Sequence, residues 1–250
     1  FNYFHWLAYA LFGFVFILFC LLMARDFLWF AGYKIAQLGN FVRPWMAPKA
    51  EASLNTANFF TLLIALLLSV YALYEGMQTP RLVEITLQSP KISTPSDIII
   101  LSDFHVNRTT PVKQIRRLVA RIKGFRPDAV LIVGDLVDDR VSAMEPQIEA
   151  LTQIKAKYGT YLVLGNHEFY SGLSQWLPTF RKMGYLLLYN DGVSIPELNL
   201  YICGVPDANT TRFANSVMRP NLYETMRHAH PEEYKILLTH TPSYAKDSYT

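Results

Sequence analysis

Two stretches near the beginning of the chain are apolar almost without interruption. Residues 3–24 contain no Asp, Glu, Lys or Arg, and His5 is their one side chain that titrates near neutral pH. Because a helix rises 1.5 Å per residue, these positions span roughly 33 Å, enough to cross a hydrocarbon core of about 30 Å. Residues 57–76 have a shorter uncharged core, at 59–74, which fits a bilayer that thins locally. The pattern predicts two transmembrane helices, at 3–24 and 57–76.

A cleaved signal peptide is the alternative interpretation of residues 3–24. It is disfavoured because the apolar stretch is too long for the central region of a signal peptide and no basic residues precede it. The following residues, 26–45, are aromatic and are interrupted by Lys34, Gly39 and Pro44. They could lie along the membrane interface as an amphipathic segment.

Charged residues are distributed unevenly along the chain. The first 76 residues hold seven, whereas residues 77–250 hold nineteen basic and seventeen acidic side chains. We therefore predict a membrane region at 1–76 and a separate domain at 77–250. No basic residue precedes the first apolar stretch. The chain between the two stretches carries four: Arg25, Lys34, Arg43 and Lys49. Because basic loops face the cytoplasm, this bias predicts a multi-pass protein of the cytoplasmic membrane whose domain is extracytoplasmic.

Overall charge gives no indication of nucleic-acid binding. The net charge is only +3, and basic residues do not alternate with aromatic ones. One predicted helix, at 111–126, concentrates positive charge without any acidic residue: Lys113, Arg116, Arg117, Arg121, Lys123 and Arg126. Such a helix is either a solvated surface helix or a cationic face turned toward anionic lipid headgroups or a phosphorylated substrate.

After residue 76, short apolar runs alternate with helical patterns. The runs have the length of strands and occur at 97–102, 129–133, 161–164, 200–203 and 236–239. Helices are predicted between them, one of them starting at a capping box formed by Ser142 and Glu145 and another at 173–183. Residues 83–88 have the pattern of an edge strand. Continuous apolar runs indicate a sheet covered on both faces, and the alternation of strands and helices predicts an α/β fold.

Side chains able to bind metal directly follow four of these strands. They are Asp103 and His105, then Asp135 and Asp138, then Asn166, His167 and Glu168, and finally His240. Each residue alone more often stabilises a turn than binds a ligand. Ligands bind at the carboxyl ends of strands in open α/β sheets, however, so we expect these side chains to converge.

The kinds of side chain in this set restrict the metal. Carboxylate, imidazole and amide donors without a thiolate suit Mn, Fe, Zn or Mg rather than a soft metal. Two ions held at roughly 3.5–4 Å need a carboxylate that bridges them. Asp135 is the natural candidate for that bridge, so the side chains present could hold two divalent metal ions.

The order of these motifs resembles that of the calcineurin-like metallophosphoesterases. The chain has D-x-H at 103–105, G-D-x-x-D at 134–138, G-N-H-E at 165–168 and a lone histidine after a strand at position 240. The resemblance covers about residues 97–242. More narrowly, the chain resembles the membrane-attached bacterial branch of that family. The resemblance implies an α/β domain folded as an αββα sandwich, preceded here by the transmembrane helices.

The resemblance also implies a role for each matching residue. It assigns Asp103 and His105 to the first metal ion, Asn166 and His240 to the second, and Asp135 to both. His167 would be the catalytic acid that protonates the leaving oxygen. Asp138 and Glu168 would orient the imidazole rings without binding a metal ion themselves.

The activity implied is that of a metal-dependent phosphoesterase. The hydrolase would cleave a phosphodiester or a lipid-linked pyrophosphate with a hydroxide that bridges the two metal ions, and its partners would be this substrate and membrane lipids. The alternative is a non-catalytic protein of the membrane that uses the same fold for binding. A transporter is disfavoured because neither apolar core contains a charged residue.

One motif of the family is not found within these 250 residues. The family pattern continues after the strand of His240 with G-H-x-H, whereas His228 and His230 have the spacing but precede that strand. We therefore expect the 250 residues alone to bind metal weakly and to be a poor catalyst.

Overall fold

Two long helices open the chain: α1 (Tyr3–Leu38) and α2 (Glu51–Gly76), with a short 3-10 helix (Pro44–Met46) between them. The computed structural model describes residues 3–46, 51–92, 94–207 and 219–242. The chain divides into two compact units, Asn2–Gln78 and Thr79–Thr250.

Both helices of the first unit are long and apolar enough to cross a membrane. The first is longer than the predicted span at 3–24, because α1 continues to Leu38. No proline occurs between Ala24 and Leu38 to interrupt it. The helix ends where Gly39 and Asn40 follow, the latter with a φ of 55°.

Two of the basic residues predicted in the loop lie within α1. Arg25 donates hydrogen bonds to Asp26 (2.8 Å) and to the side-chain oxygen of Asn58 on α2 (2.5 Å). Lys34 lies in the last turns of α1, and Lys49 lies outside the described residues. The expected orientation stays a prediction. The positive-inside rule counts basic residues within about 15–20 positions of a membrane span, so residues in the last turns of α1 still count.

The second unit contains a parallel sheet in the strand order β1-β2-β3-β4. These strands are β1 (Ile98–Leu101), β2 (Ala129–Val133), β3 (Thr160–Val163) and β4 (Tyr185–Leu187). The helices that follow or connect them are α3 (Val112–Phe125), α4 (Glu145–Leu151), α5 (Asn166–Tyr170) and α6 (Leu173–Lys182).

A second sheet has the order β5-β6-β7. Its strands are β5 (Asp191–Ile195), β6 (Leu200–Gly204) and β7 (Tyr234–Leu238); β6 is antiparallel to β5 and parallel to β7. The short helix α7 (Leu222–Met226) packs on this sheet, where the Tyr201 hydroxyl donates to the Thr225 carbonyl at 2.9 Å.

Alternate residues of the first sheet point into two different cores. Val130 and Ile132 of β2 pack with the helices α3, α4 and α6, whereas Ala129 and Leu131 pack against the second sheet. The layers are therefore helices, parallel sheet, second sheet and α7. This arrangement confirms the predicted αββα sandwich and explains why the strands of the first sheet are apolar on both faces.

The predicted helix at 173–183 is confirmed as α6, and it is preceded by a short helix, α5, that was not predicted. Two local predictions were wrong. Ser142 forms no capping box, because residues Val141–Ala143 form a 3-10 turn and α4 begins only at Glu145. Residues 83–88 are not a strand, and Val83 is 76% exposed. Alternation of apolar residues predicts a strand only where a neighbour supplies hydrogen bonds, and no described strand pairs with this segment.

Candidate metal centre

The loops after β1 and β2 run side by side and bring the first two motifs together. The backbone N–H of Asp103 donates to the Gly134 carbonyl at 3.3 Å, and that of His105 donates to the Asp135 carbonyl at 2.9 Å. Val106 and Val137 then pair as an isolated parallel bridge. This pairing places both motifs at the carboxyl edge of the parallel sheet.

Three of the candidate ligands have left-handed backbone conformations. The φ angles are 55° at Asp103, 45° at His105 and 51° at Asp135. Residues with a Cβ rarely adopt this region, and such strain is found at sites where the surrounding structure imposes it. The strain at these three residues marks the loops as a functional centre rather than ordinary turns.

Close approach of two loops explains both motif glycines. A Cβ on Gly165 would lie 2.6 Å from the Asp135 backbone nitrogen, and one on Gly134 would lie 2.7 Å from the Gly165 backbone nitrogen. Both distances are too short for a side chain, so only glycine lets the loop after β3 pack against the loop after β2.

The carboxylate of Asp135 lies at the centre of the cluster, and the side chain is only 5% exposed. Its Oδ2 is 3.6 Å from Nε2 of His105 and 3.3 Å from Nε2 of His240. Its Oδ1 accepts a hydrogen bond from the backbone N–H of His167 at 2.9 Å. One carboxylate therefore faces two imidazoles.

Two groups of potential ligands share this carboxylate. One consists of His105, Asp135 and His167, and the other of Asp103, Asp135 and His240; within each group, one ligand atom per residue lies within 4.8 Å of the others. A shared carboxylate between two donor sets is the arrangement that a pair of divalent cations requires.

The hydrogen bond of His240 shows why a cation suits this position. Nδ1 of His240 lies 3.0 Å from the Val133 carbonyl, so in a neutral ring Nδ1 carries the proton and Nε2 carries a lone pair. That lone pair would face Oδ2 of Asp135, which is also an acceptor. Two acceptors at this distance repel each other unless a proton or a metal ion lies between them.

The pKa of His240 reflects the same environment. Burial by itself would lower this pKa, but the hydrogen bond to Val133 and the nearby carboxylates, Asp135 first, raise it above its ordinary value. A divalent cation would satisfy the same carboxylates without protonation of the ring. The donor set therefore fits metal ions of the Mn, Fe, Zn or Mg kind.

His167 is held by Asp138 and lies against His105. Its Nδ1 is 2.5 Å from Oδ1 of Asp138, while Oδ2 of Asp138 is 4.0 Å from Nδ1 of His105. The two imidazole rings meet edge to face, with centroids 4.4 Å apart. Asp138 thus contacts His167 directly and lies near the second ring, which agrees with its predicted role of orienting imidazoles.

Glu168 does not orient an imidazole, contrary to the sequence-based expectation. Its buried carboxylate accepts backbone hydrogen bonds from four residues: Gly165 (2.8 Å), Asp135 (3.1 Å), Leu136 (2.8 Å) and Val137 (3.2 Å). Burial raises the pKa of Glu168, while these N–H groups favour its charged form. Glu168 therefore fixes the backbone of the loop that presents Asp135.

The structure brings together four of the five predicted metal ligands: Asp103, His105, Asp135 and His240. Asn166, the fifth, is half-buried and begins α5 immediately before His167, and its coordination stays a prediction. His167, predicted as an acid, also lies within ligand distance of His105 and Asp135. Which residue serves which ion stays a prediction as well.

Sequence reasoning missed Asp207, which is completely buried beside the centre. The Asp207 carboxylate accepts a hydrogen bond from the Thr241 hydroxyl, and the Asp207 backbone N–H donates one to the Leu164 carbonyl at 3.2 Å. Asp207 therefore anchors the residue that follows His240. A signal was available, because Asp207 follows the apolar strand β6 in the same way that the other acids follow theirs.

Comparison with known proteins supports the same chemistry. The family described as "Calcineurin-like phosphoesterase" matches residues 96–250, which include every residue of the centre. An "Uncharacterized metallophosphoesterase" of Aquifex aeolicus (strain VF5) is 32% identical over 190 residues, which cover 74% of this chain and 70% of that protein.

Two animal relatives extend the similarity into the membrane region. The "Transmembrane protein with metallophosphoesterase domain" of Danio rerio is 28% identical over 214 residues, covering 80% of this chain and 48% of that protein. The protein of the same name in Bos taurus is 29% identical over 222 residues, covering 81% and 50%. The chain thus spans about half the length of these curated relatives.

Proposed function

The chain belongs to the calcineurin-like phosphoesterase family, and on that basis we propose that it is a metal-dependent hydrolase of phosphoesters. The observation that carries the proposal is the sharing of Asp135 between two groups of potential metal ligands. Two divalent cations need such a carboxylate, whereas a single structural ion does not.

The residues that would hold the ions are Asp103, His105, Asp135, Asn166 and His240. When bound, two divalent cations supply a water molecule activated at neutral pH and neutralise charge on the phosphoryl oxygens. The protein's contribution is rigidity: Glu168 fixes the loop of Asp135, and the Val133 carbonyl fixes the ring of His240.

His167 is the residue best placed to move a proton. The Asp138 carboxylate occupies its Nδ1 at 2.5 Å, which leaves Nε2 available to exchange a proton with the leaving oxygen. The same carboxylate holds the ring in one orientation. Its neighbour Tyr170 is 58% exposed and meets the His167 ring edge to face at 5.4 Å, so the leaving group would be accommodated beside an aromatic surface.

The membrane region is the feature that bears on the class of substrate. Helices α1 and α2 are long enough to hold the chain in a membrane, which supports a substrate of the cell envelope such as a phosphodiester or a lipid-linked pyrophosphate. A domain tethered there meets such substrates at a high effective concentration. We place the domain on the extracytoplasmic side of the cytoplasmic membrane.

The test is a metal-dependent assay of the full-length protein in detergent. Hydrolysis of bis-p-nitrophenyl phosphate and of the corresponding monoester is measured after removal of metal and again after addition of Mn²⁺ or Zn²⁺. We expect activity to return with metal in the wild type and in Glu197→Gln, a surface control, but not in Asp135→Asn.

Two other outcomes would contradict the proposal in different ways. Metal binding without turnover of any phosphoester would favour the non-catalytic alternative, a binding protein that keeps the fold. Turnover that persists in Asp135→Asn or without metal would show that this centre is not the catalytic one.

A further inference from the structure

The outer surface of α3 carries a group of cations that the metal centre does not use. Six basic side chains of this helix and its C-cap are exposed, and we name them the basic face: Lys113, Arg116, Arg117, Arg121, Lys123 and Arg126. The opposite side of α3 buries Ile115, Leu118, Val119 and Ile122 in the core. The basic face is therefore fixed in orientation and points to the outside of the sandwich.

Most of this charge is not neutralised by the residues that the structure describes. Among the described residues, no carboxylate forms an ion pair with any of the six cations, although the adjacent helix α4 carries the exposed Glu145 and Glu149. Arg121 donates to the Pro80 carbonyl at 2.8 Å and Lys123 to the side-chain oxygen of Gln153 at 3.2 Å. The other four have no described hydrogen-bond acceptor.

The shape of the basic face suits an extended surface better than a single ligand. Along a helix of 14 residues the cations are spread over roughly 20 Å, wider than one phosphate group. At its centre lie Ala120 and Gly124, both exposed, and a Cβ on Gly124 would meet nothing within 4 Å. Small residues at the centre let the longer cationic side chains on either side reach the same plane.

An exposed apolar segment follows the point where the chain contacts α3. Arg121 donates a hydrogen bond to the Pro80 carbonyl, and Val83, Ile85 and Leu87 come shortly after Pro80 with exposed fractions of 75–76%. Exposed apolar side chains together with basic ones are typical of peripheral membrane-binding proteins.

We propose that the basic face of α3 lies against the anionic lipid headgroups of the membrane. Charge complementarity identifies the partner, because six cations attract an anionic lipid surface. The same chain also has two helices that are long and apolar enough to enter a membrane. The proposal is independent of the hydrolysis proposed above, because none of the six residues belongs to the metal centre.

The test measures how accessible the centre of the basic face is at a lipid surface. Full-length protein carries Cys20→Ala, which leaves the buried Cys203 as the remaining cysteine among residues 1–250, receives Ala120→Cys and is placed in lipid nanodiscs; the parent without Ala120→Cys gives the background labelling. The rate of labelling by a water-soluble maleimide is compared between pure phosphatidylcholine and an equal mixture with phosphatidylglycerol. Tyr223→Cys, on α7 in the opposite outer layer and 81% exposed, is the matched control.

We expect phosphatidylglycerol to slow labelling at position 120 and leave position 223 unchanged. Raising the ionic strength to about 1 M, where charges are screened beyond roughly 3 Å, should restore the rate. The combined variant Lys113→Gln, Arg116→Gln and Arg117→Gln should weaken docking by roughly a hundredfold and abolish the slowing. An unchanged melting temperature shows that this variant is folded.

Two results overturn the proposal. Equal labelling rates in both lipid mixtures would show that α3 is an ordinary solvated helix. Slowing by inorganic phosphate or pyrophosphate in neutral nanodiscs, with no effect of phosphatidylglycerol, would show that the basic face binds a soluble anion and not a membrane.

Discussion

Nδ1 of His167 lies 2.5 Å from Oδ1 of Asp138, which makes this pair the shortest imidazole–carboxylate contact of the metal centre. Asp138 lies in the loop after β2, and His167 lies on α5 after β3. The contact therefore joins two motifs that are separate in sequence, and it leaves only Nε2 of His167 for other partners.

Replacement of His167 by alanine should reduce turnover while most of the metal remains bound. General-acid assistance is typically worth about 10²–10⁴-fold, and the loss should be of this size. The measurement is kcat in the full-length protein together with metal content by mass spectrometry. Metal loss as large as in an Asp135 variant would assign His167 to the ligands, as its distance from His105 and Asp135 also permits.

Asp138→Asn should lower the rate because it disturbs His167. Asp138 should have no separate effect on the reaction. Asparagine keeps the shape but replaces the carboxylate whose charge-assisted hydrogen bond orients the His167 ring. In a double-mutant cycle, the effect of Asp138→Asn should therefore nearly vanish when position 167 is already alanine. Fully additive losses of rate would show that the two residues act separately.

Asp135→Ala should abolish activity and empty both ion positions at once, because one carboxylate serves both groups of ligands. Metal content is measured after dialysis against a weak chelator, with Glu197→Gln as the surface control. Retention of one of the two ions would contradict the shared role of Asp135.

Glu168→Gln should destabilise the domain even though no metal contact is removed. An amide nitrogen in place of one carboxylate oxygen leaves two of the four backbone N–H donors unsatisfied, and each buried unsatisfied donor costs about 1–3 kcal/mol. Thermal unfolding of the metal-free protein measures the effect. Glu149→Gln on the exposed face of α4 is the matched control, and an equal melting temperature in both variants would contradict this account.

The sequence predicted the parts of the centre that follow directly from strand order. Asp103 and Asp135 each come after an apolar strand of the first sheet, and parallel strands end at one sheet edge, so their convergence needed no further information. His240 follows β7 of the second sheet, so its arrival at the same edge depends on how the two sheets pack. The role of Glu168 could not be predicted in the same way. It depends on the left-handed φ of Asp135, which turns three successive N–H groups toward one carboxylate.

Where the sequence failed, a local pattern was overruled by its surroundings. Residues 83–88 alternate like a strand, but no described strand is available to pair with them. Ser142 has the spacing of a capping box, but a 3-10 turn delays the helix to Glu145. Local periodicity therefore predicted the strands and helices that pack on a neighbouring element. It misassigned segments whose conformation is decided by the residues around them.

Acid should destabilise the domain partly through Asp139. A pair of hydrogen bonds from Arg108 (2.5 and 2.7 Å) lowers the pKa of Asp139 below its ordinary value. A lowered pKa in the folded state stabilises the fold above the unfolded pKa of about 3.9, and this contribution is lost as the pH falls through the folded pKa. Melting temperatures of the wild type and Asp139→Asn should therefore converge below about pH 4. A constant difference between them at all pH values would contradict the linkage.

The orientation of the chain in the membrane gives the last prediction. Arg25, Lys34, Arg43 and Lys49 follow the first apolar stretch and no basic residue precedes it, so the positive-inside rule places the chain between the helices in the cytoplasm. A reporter fused just after Gly76, at the end of α2, should therefore be extracytoplasmic. Alkaline phosphatase, which folds only outside the cytoplasm, should be active there, and green fluorescent protein should stay dark. Fusions after Arg43 should give the reverse pattern and control for expression. Fluorescence after Gly76 without phosphatase activity would place the domain in the cytoplasm and would remove envelope substrates on the outer side from consideration.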